Sequence, residues 1–512
     1  MLAENTMETQ KMNFKWYIII PFLILIILSV SMIFTIMPWG DEAYVANESF
    51  NLLAKGYLTN TLGISNGSFD NSVGTLSYSQ VPLYFLAQAL FFKMFGIGLF
   101  QIRFLSLLFG LLGLGAIYYI LRKILKNNIL IFFTLLLVSV NLYYVQSSSI
   151  ARTDMMSSAL SLIAFAVYLN LREKKFWLSI LLSNIFICLS GLTHPVGIAG
   201  FFSLIFLILY LDQKKVNYKI VLIALIPYLL GGISWGLYIF RNLSIFTTQF
   251  GGRIKDPGEG NILTSIYGEF LYRYFLNSYG ILPESFTLFN ILKLVMKLLV
   301  IAFYFVNFIL GAFLLKEKKT KAIWWILLIY FLVLMIIFWN KSAVYLVWIN
   351  PLFLIILAFN YQIINKKKFF KIIYILFFVL IIFVSGMGVI NIVQRNDYKN
   401  AYIADLDEFN NNYYKGGLIY GHSTIAFYYD FNDKILRDDS GLGYDTGVLA
   451  DYIAVDTRYK ILYSSSDDTN FKSYKEAKSY YPKEIRDYVN KTLNEKYIKL
   501  FEGKEFTFYK KK

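Results

Sequence analysis

The sequence is nearly empty of the side chains that most often hold metals or form disulfides. It has one cysteine, Cys188, and two histidines, His194 and His422. A single cysteine excludes an intramolecular disulfide and a cysteine-rich metal site, and two histidines exclude a multi-histidine centre. No GxxxxGK[ST] phosphate loop and no HExxH zinc motif occurs, which argues against ATP-driven transport by this chain alone and against a zinc hydrolase. Charge is also scarce, at 16% of 512 residues, with 33 acidic against 49 basic side chains.

What is abundant is apolar surface. Hydrophobic residues make up 57% and aromatic residues 19%, too apolar for a water-soluble chain of this length. Many runs approach 20 apolar residues, enough to cross a hydrocarbon core. The first is not expected to be a cleavable signal peptide, because it is long, lacks a small-residue cleavage site and leads straight into an acidic pair. Basic clusters recur after every second run: Lys11 and Lys15, Arg122 to Lys126, Arg172 to Lys175, Lys214 to Lys219, Lys316 to Lys321 and Lys366 to Lys371. Such an alternation reports membrane topology and not a nucleic-acid partner. It predicts about eleven spans, near 16–37, 100–121, 129–145, 155–171, 176–192, 196–211, 220–240, 291–315, 322–339, 343–363 and 369–393. The 196–211 run could be split or re-entrant. The N-terminus is then cytoplasmic, and the C-terminus lies outside. From Arg395 onward 19 basic residues balance 19 acidic ones, so the whole net charge of +16 belongs to the membrane part.

The expected fold is therefore an all-α polytopic membrane domain, 1–394, followed by a small α/β extracytoplasmic domain, 395–512. Strands are expected at 418–421 and 452–455, a helix within 473–492 and a closing hairpin at 497–509, with Ser423 a helix-capping candidate. Within the membrane part a long first outer loop, 38–99, contains a turn-rich piece, 63–67, and a 13-residue apolar stretch, 83–95. That stretch is short for a span and suits an interfacial helix. The fourth outer segment, 241–290, reads as a polar, glycine-bearing loop.

The stretch Pro38-Trp39-Gly40-Asp41-Glu42-Ala43-Tyr44 follows directly on the first apolar run. Two adjacent acids where a membrane helix meets water are candidates for function, although membrane-edge charges that merely face water are common. The topology places Asp154, Arg152, His194 and Arg103 at the same face. A carboxylate there can accept a proton from an attacking hydroxyl, and a guanidinium can grip phosphate through paired N–H donors. Each has a plainer alternative. Glu42 could cap a helix, Asp154 could be an N-cap, Arg152 could simply pair with Asp154, Arg103 could snorkel to the interface, and His194 could satisfy a carbonyl. Tyr78 and Gln80 complete the candidate set; otherwise they are ordinary interfacial residues.

These residues in this order resemble the GT-C class of membrane glycosyltransferases. The acidic pair after the first span, Pro82-Leu83-Tyr84, the run from Phe95 to Gly110 around Arg103, Ala151-Arg152-Thr153-Asp154 and Thr193-His194-Pro195 carry the likeness, over roughly 16–211. It is greatest to the dolichyl-phosphate-mannose-protein mannosyltransferase and aminoarabinose-transferase group. The resemblance implies Asp41 as catalytic acid or base with Glu42 its neighbour, Asp154 as the acid of the second outer loop, and Arg103 near the lipid phosphate. The chain departs from the aminoarabinose-transferase branch before Pro82, where Ser79, Gln80 and Val81 replace an acidic-basic pair. His194-Pro195 stands where many relatives have a lysine-containing turn.

The functional expectation is a glycosyltransferase that moves a sugar from a polyprenyl-phosphate carrier to an extracytoplasmic protein, lipid or glycan acceptor. Asp41 is its general base, with Glu42 and Asp154 beside it. Arg103, Arg152, Tyr78, Gln80 and His194 are the donor contacts. No cofactor is required, but Asp41 and Asp154 together are compatible with Mg²⁺ or Mn²⁺. The alternatives are a lipid-linked sugar transporter, which would need charges deep in its helices and an inverted repeat, or a non-catalytic envelope-assembly protein. Lys-, Asn-, Ile- and Tyr-rich usage points to an AT-rich prokaryotic genome and hence a plasma membrane.

Overall fold

Apolar runs become helices wherever they are long enough to bury their own backbone polar groups in hydrocarbon, and this rule dictates most of the architecture. The computed structural model describes residues 16–63, 76–78, 80–255, 262–276, 287–338, 341–457, 459–460 and 483–512. Positions 64–67, Ser79, 256–258 and 473–482, on which some expectations fell, lie outside them. Among the described residues, ten helices are long and apolar enough to cross a membrane.

The chain enters through α1 (Ile19–Thr35) and continues into α2 (Gly40–Lys55), then α3 (Leu83–Phe95), the short apolar helix expected at the interface. The next span is α4 (Leu99–Ile124). The third expected span is broken into α5 (Asn128–Val140) and α6 (Leu142–Ser147). The break has a local cause. The Asn141 side chain accepts the Tyr144 N–H at 3.3 Å and so starts a new helix, and Asn350 donates to the same oxygen at 3.3 Å. This is why eleven expected spans become ten long helices and one broken one.

Four more helices follow: α7 (Thr153–Leu171), α8 (Phe176–Thr193), α9 (Gly197–Asp212) and α10 (Tyr218–Ile239). The run at 196–211 is thus one continuous helix. The segment expected to be a loop after Arg241 instead holds α11 (Leu243–Lys255), α12 (Ile262–Gly268) and a π-helical turn, Glu269–Leu276. The last spans are α13 (Leu288–Leu314), α14 (Lys318–Ile336), α15 (Leu346–Ile364) and α16 (Lys368–Arg395). Of these, α15 is buried from Leu346 to Asn360, so it is the central post of the bundle. Close approach of α4 to α6 depends on glycine: a Cβ on Gly113 would lie 2.7 Å from the Tyr144 hydroxyl.

Alternation of the spans gathers the charges at two ends. At one end Glu173 bridges Lys123 at 2.8 Å and Lys319 at 3.0 Å, tying three helices, and Asp212 meets Arg172 and Lys215. At the other end lie α2 and the C-terminal sheet. After α17 (Ala404–Asn412) come β1 (Ile419–Gly421), β2 (Leu436–Arg437), β3 (Tyr452–Val455), α18 (Lys483–Lys496), β4 (Tyr497–Glu502) and β5 (Thr507–Lys511). The strand order is β2-β1-β3-β5-β4, with β1 parallel to both neighbours and the β4–β5 hairpin antiparallel at the edge. Ser423 lies in the first turn of a 3-10 segment and is not its cap, which is His422. The apolar core of this region is shared, because Ala46, Leu62, Ile102 and Ala151 pack with Leu406, Phe409, Ile425 and Phe508.

Candidate active site

The helix that carries the acidic pair is unusual for its position. Although α2 is polar in sequence, most of it is buried, and its polar side chains are stitched to the loop that follows. Asn47 accepts the Thr61 N–H at 2.8 Å, Asn51 donates to the Thr59 carbonyl at 3.0 Å, and Glu48 accepts from the Ser77 hydroxyl at 2.9 Å. Buried polar groups must find such partners or pay the cost of desolvation. The result is a rigid shelf across the end of the bundle.

Glu42 points into that end and is fully buried. Its carboxylate accepts the Trp39 N–H at 2.9 Å, capping α2, and the Ala151 N–H at 2.8 Å. Two further bonds come from Arg103, at 2.8 Å from Nε and 2.7 Å from Nη2. The remaining Arg103 donors go to the Ile33, Ile36 and Met37 carbonyls at 2.9, 2.7 and 3.1 Å, in the last turn of α1 and just beyond its end. All five guanidinium N–H groups are thereby used, which is what a buried ion pair needs to persist. Arg103 has no donor left for a phosphate here. Nor does it snorkel. It welds the end of α1 to the start of α2.

Asp41, one residue earlier, points the other way and is the exposed acid of the pair, with its side chain 54% accessible. It pairs with Nη1 of Arg152. Arg152 precedes α7, and its Nε donates to Asp154 Oδ2 at 2.7 Å. Its guanidinium lies 4.9 Å from the centre of the Trp39 ring. Burial works against the charge on Arg152, but Asp154 and Asp41 outweigh it and hold the group above its ordinary value, so it stays cationic. Its Nη2 faces no hydrogen-bond partner among the described residues.

Asp154 is buried, and its second oxygen, Oδ1, has no hydrogen-bond partner among the described residues. Nε2 of His194 lies 3.8 Å from it. Nδ1 of His194 accepts the Val196 N–H at 3.0 Å, so in the neutral ring the proton sits on Nε2, facing Asp154. Burial lowers the His194 pKa to about 4 despite the pull of Asp154, so the ring is neutral at physiological pH. Tyr345 and Trp348 flank it, with ring centres 5.7 and 5.2 Å away.

Beyond Tyr345 lies a charge cluster that the sequence analysis missed. Arg273 is buried with its guanidinium 5.4 Å from the Tyr345 ring centre. Its Nε donates to Glu269 at 2.6 Å, and Lys341 reaches the same carboxylate at 3.0 Å. Arg273 also donates to the Ser342 carbonyl at 2.9 Å. Glu269 and Arg273 are one helical turn apart, and an i, i+4 acid–base pair set among aromatics was the available signal.

Two expected contacts stand apart from this array. Tyr78 turns toward α10 and α11, its hydroxyl on the Tyr238 carbonyl at 3.1 Å and its ring on Tyr238 and Phe246. Gln80 is half-buried and makes no hydrogen bond with the cluster. The two-carboxylate metal site does not fit this arrangement either. A guanidinium stands between Asp41 and Asp154, and among the described residues no three His, Cys, Asp or Glu side chains are grouped to hold a metal.

Comparison with known proteins bears on the fold. Residues 79–235 match the family model of dolichyl-phosphate-mannose-protein mannosyltransferases. No curated protein sequence matches the chain. Among solved structures, ArnT from Cupriavidus metallidurans bound to undecaprenyl phosphate superimposes with a TM-score of 0.57 at 14% identity, covering 96% of this chain and 97% of that one. The Archaeoglobus fulgidus oligosaccharyltransferase in complex with Zn and sulfate gives 0.58 at 12%, covering 95% and 79%. The same archaeal protein, AglB, in complex with an inhibitory peptide and a dolichol-phosphate gives 0.53 at 11%, covering 96% and 74%. At these identities the superpositions speak for the fold alone: the chain shares its many-helix membrane fold with these transferases, and from α3 into α10 it matches the mannosyltransferase family model.

Proposed function

We propose that this protein transfers a sugar from a polyprenyl-phosphate donor to an acceptor outside the cytoplasm, with Asp41 as the general base. The observation that carries this reading is the division of labour within the acidic pair. Glu42 is consumed by structure, while Asp41 is ionisable, accessible and held by a cation that also holds Asp154. An acceptor hydroxyl in reach of Asp41 loses its proton to it as the oxygen attacks the anomeric carbon. The bond from that carbon to the phosphate oxygen breaks, and the lipid phosphate departs with the electron pair.

Arg152, with Nη2 unpaired, stabilises charge growing on that phosphate. Arg273 and Lys341, across Tyr345 from His194, extend the positive wall. The neutral His194 offers its Nε2–H beside Asp154 without adding charge. Kinship with proteins solved holding undecaprenyl phosphate and dolichol-phosphate supports the choice of donor class. The basic clusters gather at the opposite end of the bundle from α2, which supports an active site facing away from the cytoplasm.

The test is Asp41→Asn in the full-length protein, assayed for transfer from radiolabelled polyprenyl-phosphate sugars. The variant should insert and melt like wild type yet lose about 10²–10⁴-fold in rate, the range for removing a general base. Transfer at the wild-type rate would remove Asp41 from the mechanism.

A further inference from the structure

The C-terminal region has no part in the chemistry just described, yet one of its side chains reaches the helix that bears Asp41. Asp438 follows β2 and is almost fully buried. Its Oδ2 accepts the Tyr44 hydroxyl at 2.9 Å and the Ser423 N–H at 2.7 Å, and its Oδ1 accepts the Tyr459 hydroxyl at 2.7 Å. Its own N–H donates to the Leu62 carbonyl at 2.8 Å, and Gly63 pairs with it as an isolated parallel bridge. A single residue therefore joins α2, the loop after α2, the first turn beyond β1 and Tyr459.

The placement of Tyr44 gives this junction a purpose. Successive helical residues are rotated by about 100°, so Glu42 and Tyr44 emerge about 200° apart, with Asp41 in the arc on one side of them. Glu42 is fixed below by Arg103 and the end of α1. Tyr44 is fixed above by Asp438. Asn47, Glu48 and Asn51 hold the middle of α2 to the loop after it, while Glu42 and Tyr44 hold its first turns from nearly opposite sides and so resist roll there. Stacking of Phe50 on Phe431, with ring centres 5.7 Å apart, adds a contact farther along α2 but none at its first turn.

Taking Asp41 as the base, as proposed above, we infer that Asp438 is a positioning residue for transfer: through Tyr44 it fixes the roll of α2 and so the direction of the Asp41 carboxylate. Asp438 touches neither donor nor acceptor. Its charge strengthens the hydrogen bond from Tyr44, because a carboxylate accepts more strongly than a neutral oxygen. The C-terminal region thus completes the site mechanically.

Tyr44→Phe in the full-length protein keeps the ring and deletes the bond. Hydrogen exchange should quicken at the amides of the first turns of α2. The turnover number should fall about ten- to a hundredfold, the scale of a misplacement of about 1 Å, while KM for the polyprenyl-phosphate donor stays within about twofold. Asp438→Asn, which keeps an acceptor oxygen, should recover most of the activity that Asp438→Ala loses. Tyr428→Phe deletes a bond to Asp407 within the C-terminal region, one in which α2 takes no part, and should change neither reading.

Unchanged exchange in Tyr44→Phe overturns the inference whether or not any donor is turned over. Quickened exchange with an unchanged turnover number also overturns it. If the wild type transfers sugar from no polyprenyl-phosphate donor, the proposed function falls, and exchange alone then decides whether Asp438 holds α2.

Discussion

Two arginines meet neighbouring carboxylates on the first turn of α2. Arg103 comes from α4 and takes Glu42; Arg152 comes from the start of α7 and takes Asp41. The first pair is sealed, with every donor spoken for and no surface exposed. The second shares one guanidinium between an exposed acid and a buried one, leaving a nitrogen and a carboxylate oxygen without hydrogen-bond partners among the described residues. A saturated buried pair can only hold parts together, because any new ligand must first break a bond already made. An unsaturated one can receive a ligand without that loss.

The sharpest way to break the comparison is to unseal the first pair. Arg103→Met strands a buried carboxylate and should cost about 3–5 kcal/mol, so folded protein in detergent should largely vanish from size-exclusion profiles. The double variant Glu42→Met with Arg103→Met removes both charges and should recover much of that loss. If Arg103→Met instead folds normally and only donor affinity falls, Arg103 belongs with the ligand contacts after all.

A gentler test concerns the open pair. Arg152→Lys keeps a positive charge between Asp41 and Asp154 but loses the planar fork. Turnover should drop by about tenfold, with the melting temperature nearly unchanged. The same exchange at Arg103 should be costlier for stability, since an ammonium has three donors for five acceptors.

The smallest effect expected is on pH dependence. The unfolded chain protonates His194 as pH falls below about 6.5, whereas the folded protein resists until about 4. The unfolded state therefore binds more protons in that window, and stability contributed by this residue declines as pH drops from about 6.5 to about 4. His194→Gln should flatten this part of the acid-side slope in melting experiments. An unaltered slope would mean that the ring is already solvated in the folded state.

Much of this arrangement was legible in the residues themselves. Hydropathy gave the spans because a membrane forbids unpaired backbone, and it failed only where Asn141 offers its own side chain as a cap. The acidic pair was found as a pair, but adjacent helical residues differ by about 100° in direction, and no spacing rule says which one faces the bundle. Hence Glu42 and Arg103 carried catalytic and phosphate expectations, while their geometry is that of a weld. Pairing of Arg152 with Asp154, anticipated as the plainer alternative, is present and compatible with the proposed chemistry. The Glu269–Arg273–Lys341 cluster stayed hidden because its members fall in a stretch that reads as loop and at the edge of a span. Tyr78 was drawn in by proximity in sequence, and its partners come from α10 and α11, about 160 residues away.

The Asp438–Tyr44 bond closes over a separation of 394 residues. A ribosome working from the amino terminus delivers α2 and most of the spans long before it delivers the aspartate that steadies α2 from above. The bond can therefore close only after every span that separates its two ends in sequence has been made.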